Sequence, residues 1–203
     1  MATTPPRIPT TPPRIPPIEP PYEPDVEESL RKWMPPGAAV EPLKLFRTLM
    51  IHPELAARMR PLGAALLGHP TVEPREREIV IHRATARAGA EYEWGVHAVA
   101  FGRPLGLTDE QIAATAHGSA DDPAWTEPRD RLLIRLVDEL YDSATVSDTL
   151  WTELVREWDP PQLLELVVCA GWYRLIAQVI NVAGVELEPW AERFPAPAGE
   201  RGE

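Results

Sequence analysis

The positions of the 25 prolines constrain the fold of this chain more than any other feature. Proline fixes φ and has no backbone N–H, so it is excluded from helix interiors and central strands but fits the first turn of a helix. The hexapeptide Thr-Pro-Pro-Arg-Ile-Pro occurs at residues 4–9 and again at 11–16. Residues 1–24 are therefore predicted to form a Pro-rich extended or disordered arm, either a free tail or an arm laid across a neighbouring subunit.

After residue 24 the prolines stand where helices should begin. Pro53, Pro74 and Pro160 each precede a segment whose apolar residues recur every three or four positions. In the first of these segments the predicted buried stripe consists of Leu55, Met59, Leu62 and Leu66. Pro61, in the same segment, predicts a kink or a break.

Two further signals mark helix boundaries. Residues 108–111 (Thr-Asp-Glu-Gln) and 159–162 (Asp-Pro-Pro-Gln) have the capping-box pattern of a helix start. Gly89 can adopt the left-handed conformation that ends a helix. No segment shows the strict alternation of apolar and polar residues expected of a strand. The sequence thus predicts an all-α protein, with a compact helical bundle over residues 25–190 and a flexible C-terminal tail at 191–203.

Composition excludes several classes of partner. The net charge of -11 argues against binding nucleic acid or docking on an anionic membrane, because both need clustered Lys and Arg. The longest apolar stretch, residues 163–185, is interrupted by charged and amide side chains, which favours a buried core helix over a membrane span. Cys169, the single cysteine, lies in that stretch and is predicted to be a small buried hydrophobe. The N-terminal residues do not have the pattern of a signal peptide, so a cytoplasmic location is expected.

The best candidate for chemistry is the segment Glu-Tyr-Glu-Trp-Gly-Val-His at residues 91–97. Glu93 and His97 stand one helical turn apart, so their side chains can meet, and an imidazole exchanges protons near neutral pH. The aromatic neighbours Tyr92 and Trp94 would lower the local dielectric and so raise the pKa of a carboxylate. An ordinary pair on the protein surface would have the same spacing. The sequence has neither a His-Glu-x-x-His motif, nor a cysteine cluster, nor a Gly-rich phosphate loop, so no metal or cofactor is predicted.

Several motifs together resemble the carboxymuconolactone decarboxylase and alkylhydroperoxidase-D-like superfamily. The similar segments are Glu-Arg-Glu-Ile-Val-Ile at 76–81, Gly-Ala-Glu-Tyr-Glu-Trp-Gly-Val-His at 89–97, Gly-Leu-Thr-Asp-Glu-Gln-Ile at 106–112, and residues 165–184. The resemblance covers most of residues 40–188. It implies a helical bundle of the alkylhydroperoxidase-D-like type, assembled as a homo-oligomer (a dimer, trimer or hexamer).

The resemblance also implies which residues form the site. In the peroxidase branch the second helix carries Cys-x-x-Cys-x-x-x-His, and a glutamate lies upstream. Aligning His97 with that histidine puts Ala90 and Glu93 at the two cysteine positions and Glu78 at the upstream glutamate. Both thiols are absent, and a carboxylate cannot replace the thiolate that attacks a peroxide. The variant Glu-Tyr-Glu-Trp-x-x-His therefore predicts proton transfer by Glu78, Glu93 and His97 in place of redox chemistry.

The expected function is that of a cofactor-independent acid/base enzyme of the decarboxylase, isomerase or lyase type. Its partner would be a small-molecule substrate: an organic acid, a lactone or a related carbonyl compound. Tyr92, Trp94 and Tyr173 are expected to line the substrate pocket. Two alternatives stay open at this point, a hydroperoxide reductase-like protein of the same superfamily and a non-catalytic ligand-binding or assembly protein on that scaffold.

Overall fold

A computed structural model of the protein describes residues 12–35, 41–68 and 70–196. Within these ranges the chain forms nine α-helices and one π-helical turn, and no strand. The helices are α1 (Pro24–Trp33), α2 (Lys44–Leu49), α3 (Pro53–Gly68), α4 (Pro74–Arg87), α5 (Glu91–His97), α6 (Asp109–His117), α7 (Pro128–Ser143), α8 (Asp148–Glu157) and α9 (Pro160–Ala183), and the π turn is Ala98–Gly102, directly after α5. The all-α prediction is confirmed.

Helix α4 is the centre of the bundle. It packs against α5, α6, α7 and α9, and every residue from Glu76 to Ala86 is buried. Ile79, Val80 and Ile81 contribute to the apolar core that α7 and α9 complete. A helix buried on all sides must also satisfy its polar side chains internally. Arg83, for example, donates to both carboxylate oxygens of Asp138, at 2.7 and 2.9 Å.

The predicted helix boundaries are confirmed where local chemistry fixes them. Thr108 and Gln111 form a complete capping box at the start of α6, and Asp159 and Gln162 form another at the start of α9. Gly89 follows α4 with φ +65°, the left-handed conformation that a residue without Cβ adopts at low cost. The chain turns there into α5, and this turn brings the two helices of the candidate site side by side.

Helix α3 differs from the prediction in two respects. It continues through Pro61 to Gly68 without a break. Its buried residues are Ala56 and Leu66, whereas Leu55 and Leu62 of the predicted buried stripe are exposed. The proline is tolerated because Ala57, whose carbonyl loses its helical donor, is exposed and can bond to solvent.

The segments that flank the bundle are both packed against it. In the arm, the backbone N–H groups of Arg14 and Ile15 donate to the carbonyl of Ala183 at 2.8 and 3.1 Å, while both side chains are exposed. Residues 191–196, predicted as part of a flexible tail, lie along α5 and α6 and make hydrogen bonds there. Residues 1–11 and 197–203 of the predicted arm and tail are outside the described residues.

Helix α9 is the one helix in the described ranges that is long and apolar enough to cross a membrane by length and composition. In its most apolar window 44% of the residues are buried inside the protein. A buried core helix meets the same criteria, so this property is weak evidence for a membrane span.

Candidate active site

The candidate site lies between α4 and α5. The short turn between them is closed by hydrogen bonds from Gly89 N to Ala86 O and from Ala90 N to Thr85 O, both 2.9 Å long. The turn places α5 antiparallel to α4, so that the last residue of α5, His97, faces Glu78 near the start of α4. The site therefore depends on two helices that are adjacent in sequence.

Glu78 and His97 form the central contact of the site. The Glu78 Oε2 atom lies 2.8 Å from His97 Nδ1. The other oxygen, Oε1, accepts a hydrogen bond from the Arg77 guanidinium at 3.4 Å. Arg77 also donates to the carbonyls of Leu66 and Leu67 at 3.3 and 3.2 Å. Both oxygens of Glu78 thus have a cationic donor, and the carboxylate holds the imidazole in a fixed orientation.

The second nitrogen of His97 faces Glu93. The distance from His97 Nε2 to Glu93 Oε1 is 3.6 Å, longer than a direct hydrogen bond. Glu93 Oε2 is buried and has no hydrogen-bond partner among the described residues. Glu93 is therefore a carboxylate with free acceptor capacity beside a nitrogen that can carry a proton.

The charges of the pair shift both pKa values. Burial acts to lower the pKa of His97, but the carboxylates of Glu78 and Glu93 outweigh it and raise that pKa to about 9. Burial acts to raise the pKa of Glu78, but the charge and the hydrogen bond of His97, together with the charge of Arg77, lower it below its usual value. At neutral pH the pair is consequently an imidazolium bonded to a carboxylate, with the Nε2 proton directed toward Glu93.

His82 is a buried neutral neighbour of this pair. Its Nδ1 lies 2.7 Å from the backbone carbonyl of Glu78, which requires the proton to be on Nδ1. Burial is the main cause that lowers the pKa of His82 to about 4. A Cβ on Gly102 would come within 3.0 Å of the His82 ring, so the π turn can pack there only because residue 102 is a glycine. His82 was not among the predicted site residues.

Aromatic side chains enclose His97 on two sides. The Phe101 ring stacks on the imidazole with 4.9 Å between ring centroids, and the Tyr173 ring meets it edge-on at 5.1 Å. Tyr173 was predicted by the resemblance, whereas Phe101 was missed. Phe101 follows His97 by four positions, as His97 follows Glu93, so helical spacing could have indicated it.

Tyr92 and Trp94 are buried but make their polar contacts elsewhere. The Tyr92 hydroxyl donates to Glu188 Oε1 at 2.7 Å, and the Trp94 indole donates to Thr115 Oγ1 at 2.9 Å. Residues directly before and after Glu93 point about 100° to either side of it on a helix and cannot share its face. Of the three residues expected to line a pocket with His97, the structure brings only Tyr173 to it.

Cys169 is buried close to this cluster. Burial raises the pKa of its thiol, and the charge of Glu78 adds to the effect. The side chain is therefore a neutral thiol at physiological pH and not the thiolate that peroxide reduction needs. In the part of the chain that the structure describes, no three His, Cys, Asp or Glu side chains are grouped as a metal site.

Two surface cavities lie away from this cluster. One of about 350 Å³ is lined by α7 and α8, including Arg131, Arg135 and Glu153. Another of about 210 Å³ lies between α7 and α9 near Tyr141 and Arg174. Neither is lined by Glu78, Glu93 or His97, whose side chains are nearly enclosed.

Residues 53–134 match the model of the Carboxymuconolactone decarboxylase family. This central part of the chain is therefore similar to that family. The predicted resemblance is thereby confirmed. The matched residues contain Glu78, Glu93 and His97, while Tyr173 lies beyond them. A comparison with curated proteins found no match.

The two histidines predict opposite pH limits to stability. The folded-state pKa of His97, about 9, exceeds its reference value of 6.5, so its contribution is complete below pH 6.5 and lost as pH rises through 9. The folded-state pKa of His82, about 4, is below 6.5, so stability is lost as pH falls from 6.5 toward 4. We expect the free energy of unfolding, measured in urea, to be greatest near pH 6.5. On either side it should change by less than about 1.4 kcal/mol per pH unit for each proton that is taken up or released on unfolding.

The His97→Asn variant tests the alkaline side of this profile. It keeps a donor for Glu78 but does not titrate, so the decline between pH 6.5 and 9 should become shallower. The acid side should become shallower as well but should not disappear, because the charge of His97 lowers the pKa of both Glu78 and His82 while burial of His82 remains. An alkaline slope that is the same in the parent and the variant would contradict the assignment.

Proposed function

We propose that this protein is a cofactor-independent acid/base enzyme of the decarboxylase, isomerase or lyase type. Its substrate would be a small organic acid, lactone or related carbonyl compound, handled in the cytoplasm. The observation that carries the proposal is the spatial arrangement in which the His97 ring lies between the carboxylates of Glu78 and Glu93. One imidazole nitrogen is bonded to a fixed carboxylate, and the other points toward a second carboxylate that has a free oxygen.

Glu93 and His97, the two groups that face the substrate, have different roles in the reaction. Glu93 accepts the proton from the carbon next to the substrate carbonyl, so a C–H bond breaks and an O–H bond forms on Glu93. The electron pair moves to the carbonyl oxygen, where the Nε2 proton of His97 stabilises the enolate. Returning the proton to another carbon isomerises the substrate. In a decarboxylation the C–C bond to the substrate carboxylate breaks, CO2 leaves and the electron pair passes to the same carbonyl oxygen. Glu93 then delivers to the enolate carbon a proton that it has taken from water.

Glu78 and Arg77 act as positioning residues in this scheme. The contact of Glu78 Oε2 with Nδ1 holds one proton there and stabilises the imidazolium, so the proton that faces the substrate is the one on Nε2. Arg77 neutralises the other oxygen of Glu78. The low dielectric of the buried site strengthens each of these contacts. Phe101 and Tyr173 supply apolar walls that limit access of water to the enolate.

The proposal is tested by following exchange of substrate α-protons with D2O by proton NMR. The panel consists of small ketones, lactones and 2-oxo acids. We expect the parent protein to catalyse exchange on at least one class. Glu93→Gln should slow that exchange by about 10²-fold or more, because the base is removed while size and shape are kept.

A charge-matched control is Glu110→Gln, which changes an exposed carboxylate on α6. It should exchange protons at the parent rate. Exchange by Glu93→Gln at the parent rate would refute the assignment of Glu93 as the base. A parent protein that exchanges no member of the panel would refute the proposed function.

We further propose that the protein assembles as a homo-oligomer, a dimer, trimer or hexamer. Besides the family, the support is an apolar face that α9 leaves exposed: Leu164, Val167, Val168, Leu175 and Val182. These positions recur at helical spacing along one side of the helix, which is typical of a surface covered by another chain.

Light scattering provides the test of assembly. We expect the parent to have a mass of at least two chains, and the double variant Leu164→Glu with Val182→Glu to lower it, because two charges would be buried in the contact. Ala57→Glu, an exposed position on α3, is the control and should keep the parent mass. A monomeric parent at micromolar concentration would rule out this assembly.

A further inference from the structure

We infer that the substrate of this site is an uncharged carbonyl compound, a ketone or lactone without a carboxylate, because both cations at the site already face carboxylates of the protein. The inference rests on the proposed function and narrows it to the isomerase and lyase types, because a decarboxylase needs a carboxylate on its substrate. Its basis is the balance of charge around His97, the free oxygen of Glu93 and the pairing of the nearby arginines.

The charges at the site cancel without a ligand. Arg77 contacts one oxygen of Glu78 and His97 contacts the other, at 3.4 and 2.8 Å. The remaining donors of Arg77 include a nitrogen bonded to two backbone carbonyls of α3. Glu93 then supplies the second negative charge, 3.6 Å from His97. Two cations and two carboxylates leave the buried site neutral, and an anionic substrate would add a third negative charge.

The nearby arginines have carboxylate partners of their own. The pairs on α4 and directly after the π turn are Arg75–Asp130, Arg83–Asp138, Arg87–Asp142 and Arg103–Glu192. An arginine that serves as the clamp for a substrate carboxylate needs its planar donor face free. In these pairs that face is directed to the protein's own Asp and Glu side chains. Near the site, in the described ranges, the cationic groups left for a substrate carboxylate are His97 and the Nε of Arg77, and both cations already contact Glu78.

The unpartnered oxygen of Glu93 favours the same class of substrate. Glu93 Oε2 is buried without a partner among the described residues, so it requires a group that donates a proton. An acidic C–H beside a neutral carbonyl provides one, while the carbonyl oxygen accepts from His97 Nε2. A carboxylate held by His97 would bring only acceptor oxygens to Glu93, and the two negative charges would repel each other.

The test compares substrates that differ by a carboxylate. Butanone is paired with 2-oxobutyrate, and γ-butyrolactone with its γ-carboxylate, each followed by α-proton exchange in D2O. After correction for the uncatalysed exchange of each compound, we expect kcat/KM to be at least about tenfold higher for the neutral member of each pair. A parent protein that exchanges 2-oxobutyrate as fast as butanone overturns the inference and leaves the proposed function standing.

A binding experiment without turnover distinguishes failure of this inference from failure of the proposed function. Acetate and acetamide are titrated while the His97 ring is followed by 15N NMR. We expect Glu93→Gln to bind acetate at least about tenfold more tightly than the parent does, and acetamide with similar affinity. Glu110→Gln, with the same change of net charge at the surface, should leave both affinities unchanged. If no compound is exchanged, the proposed function fails, and equal acetate binding by the parent and Glu93→Gln would then overturn this inference as well.

Discussion

His97→Asn should lower the rate of α-proton exchange by about 10² to 10⁴-fold, the usual contribution of a positioned acid or base. The asparagine amide can replace Nδ1 as the donor to Glu78, which lies 2.8 Å from that nitrogen. It has nothing to replace Nε2, so the enolate loses the proton that stabilises it. The measurement is exchange in D2O at pH 7, on the best member of the panel of ketones and lactones.

His117→Asn is the matched control for this experiment. His117 ends α6 and contacts the backbone carbonyl of Pro195 at 2.6 Å, outside the Glu78–His97 pair. The control should retain the parent rate. Circular dichroism of both variants at pH 7 should match that of the parent. A folded His97→Asn protein with the parent rate would show that the imidazole has no part in the chemistry.

Gly95→Ala should be the most destabilising single methyl addition in α5. A Cβ on residue 95 would lie 2.0 Å from the backbone carbonyl oxygen of Glu192, closer than any real contact. The backbone of the C-terminal segment, residues 186–196, would have to move away from the helix. We expect a loss of roughly 2 kcal/mol or more in the free energy of unfolding, measured in urea.

Gly171→Ala provides the opposite control. Gly171 is exposed in the middle of α9, and a Cβ there meets nothing within 4 Å of the same chain. Because this position lies on the face that we propose joins two copies, the control is made in the Leu164→Glu/Val182→Glu background. Alanine in a helix interior is favoured over glycine, so this variant should gain about 1 kcal/mol. If Gly95→Ala is as stable as the parent while Gly171→Ala gains stability, the C-terminal segment does not pack on α5 in solution.

The sequence predicts those parts of the fold that local chemistry determines. Prolines and capping residues mark the starts of α4, α6 and α9, because each satisfies or removes backbone donors within one turn. Gly89 marks the end of α4, because it adopts the left-handed conformation at low cost. The buried face of α3 could not be predicted in this way. Which side of an amphipathic helix is covered depends on distant partners, here the residues that contact Ala56 and Leu66 and leave Leu55 exposed.

The same distinction applies to the candidate site. The spacing of Glu93 and His97 follows from the helical period, but the contact with Glu78 depends on how α4 and α5 pack, and only the family resemblance indicated it. Arg77 carries no signal of its own in the sequence, and His82 carries only its four-residue spacing from Glu78, which permits a contact on one helix face. The structure identifies both as neighbours of the site, because α4 is buried on all sides and its polar side chains must form hydrogen bonds inside the protein.

The packing of the C-terminal segment on α5 has a consequence for synthesis of the chain. Phe194 packs on Trp94, and its backbone N–H bonds to Glu91, a residue 103 positions earlier. At a translation rate of about 5–20 residues per second, that interval lasts on the order of ten seconds. During this time the nascent helix α5 and its tryptophan lack their cover, so folding of the candidate site can finish only after nearly the whole described chain has left the ribosome.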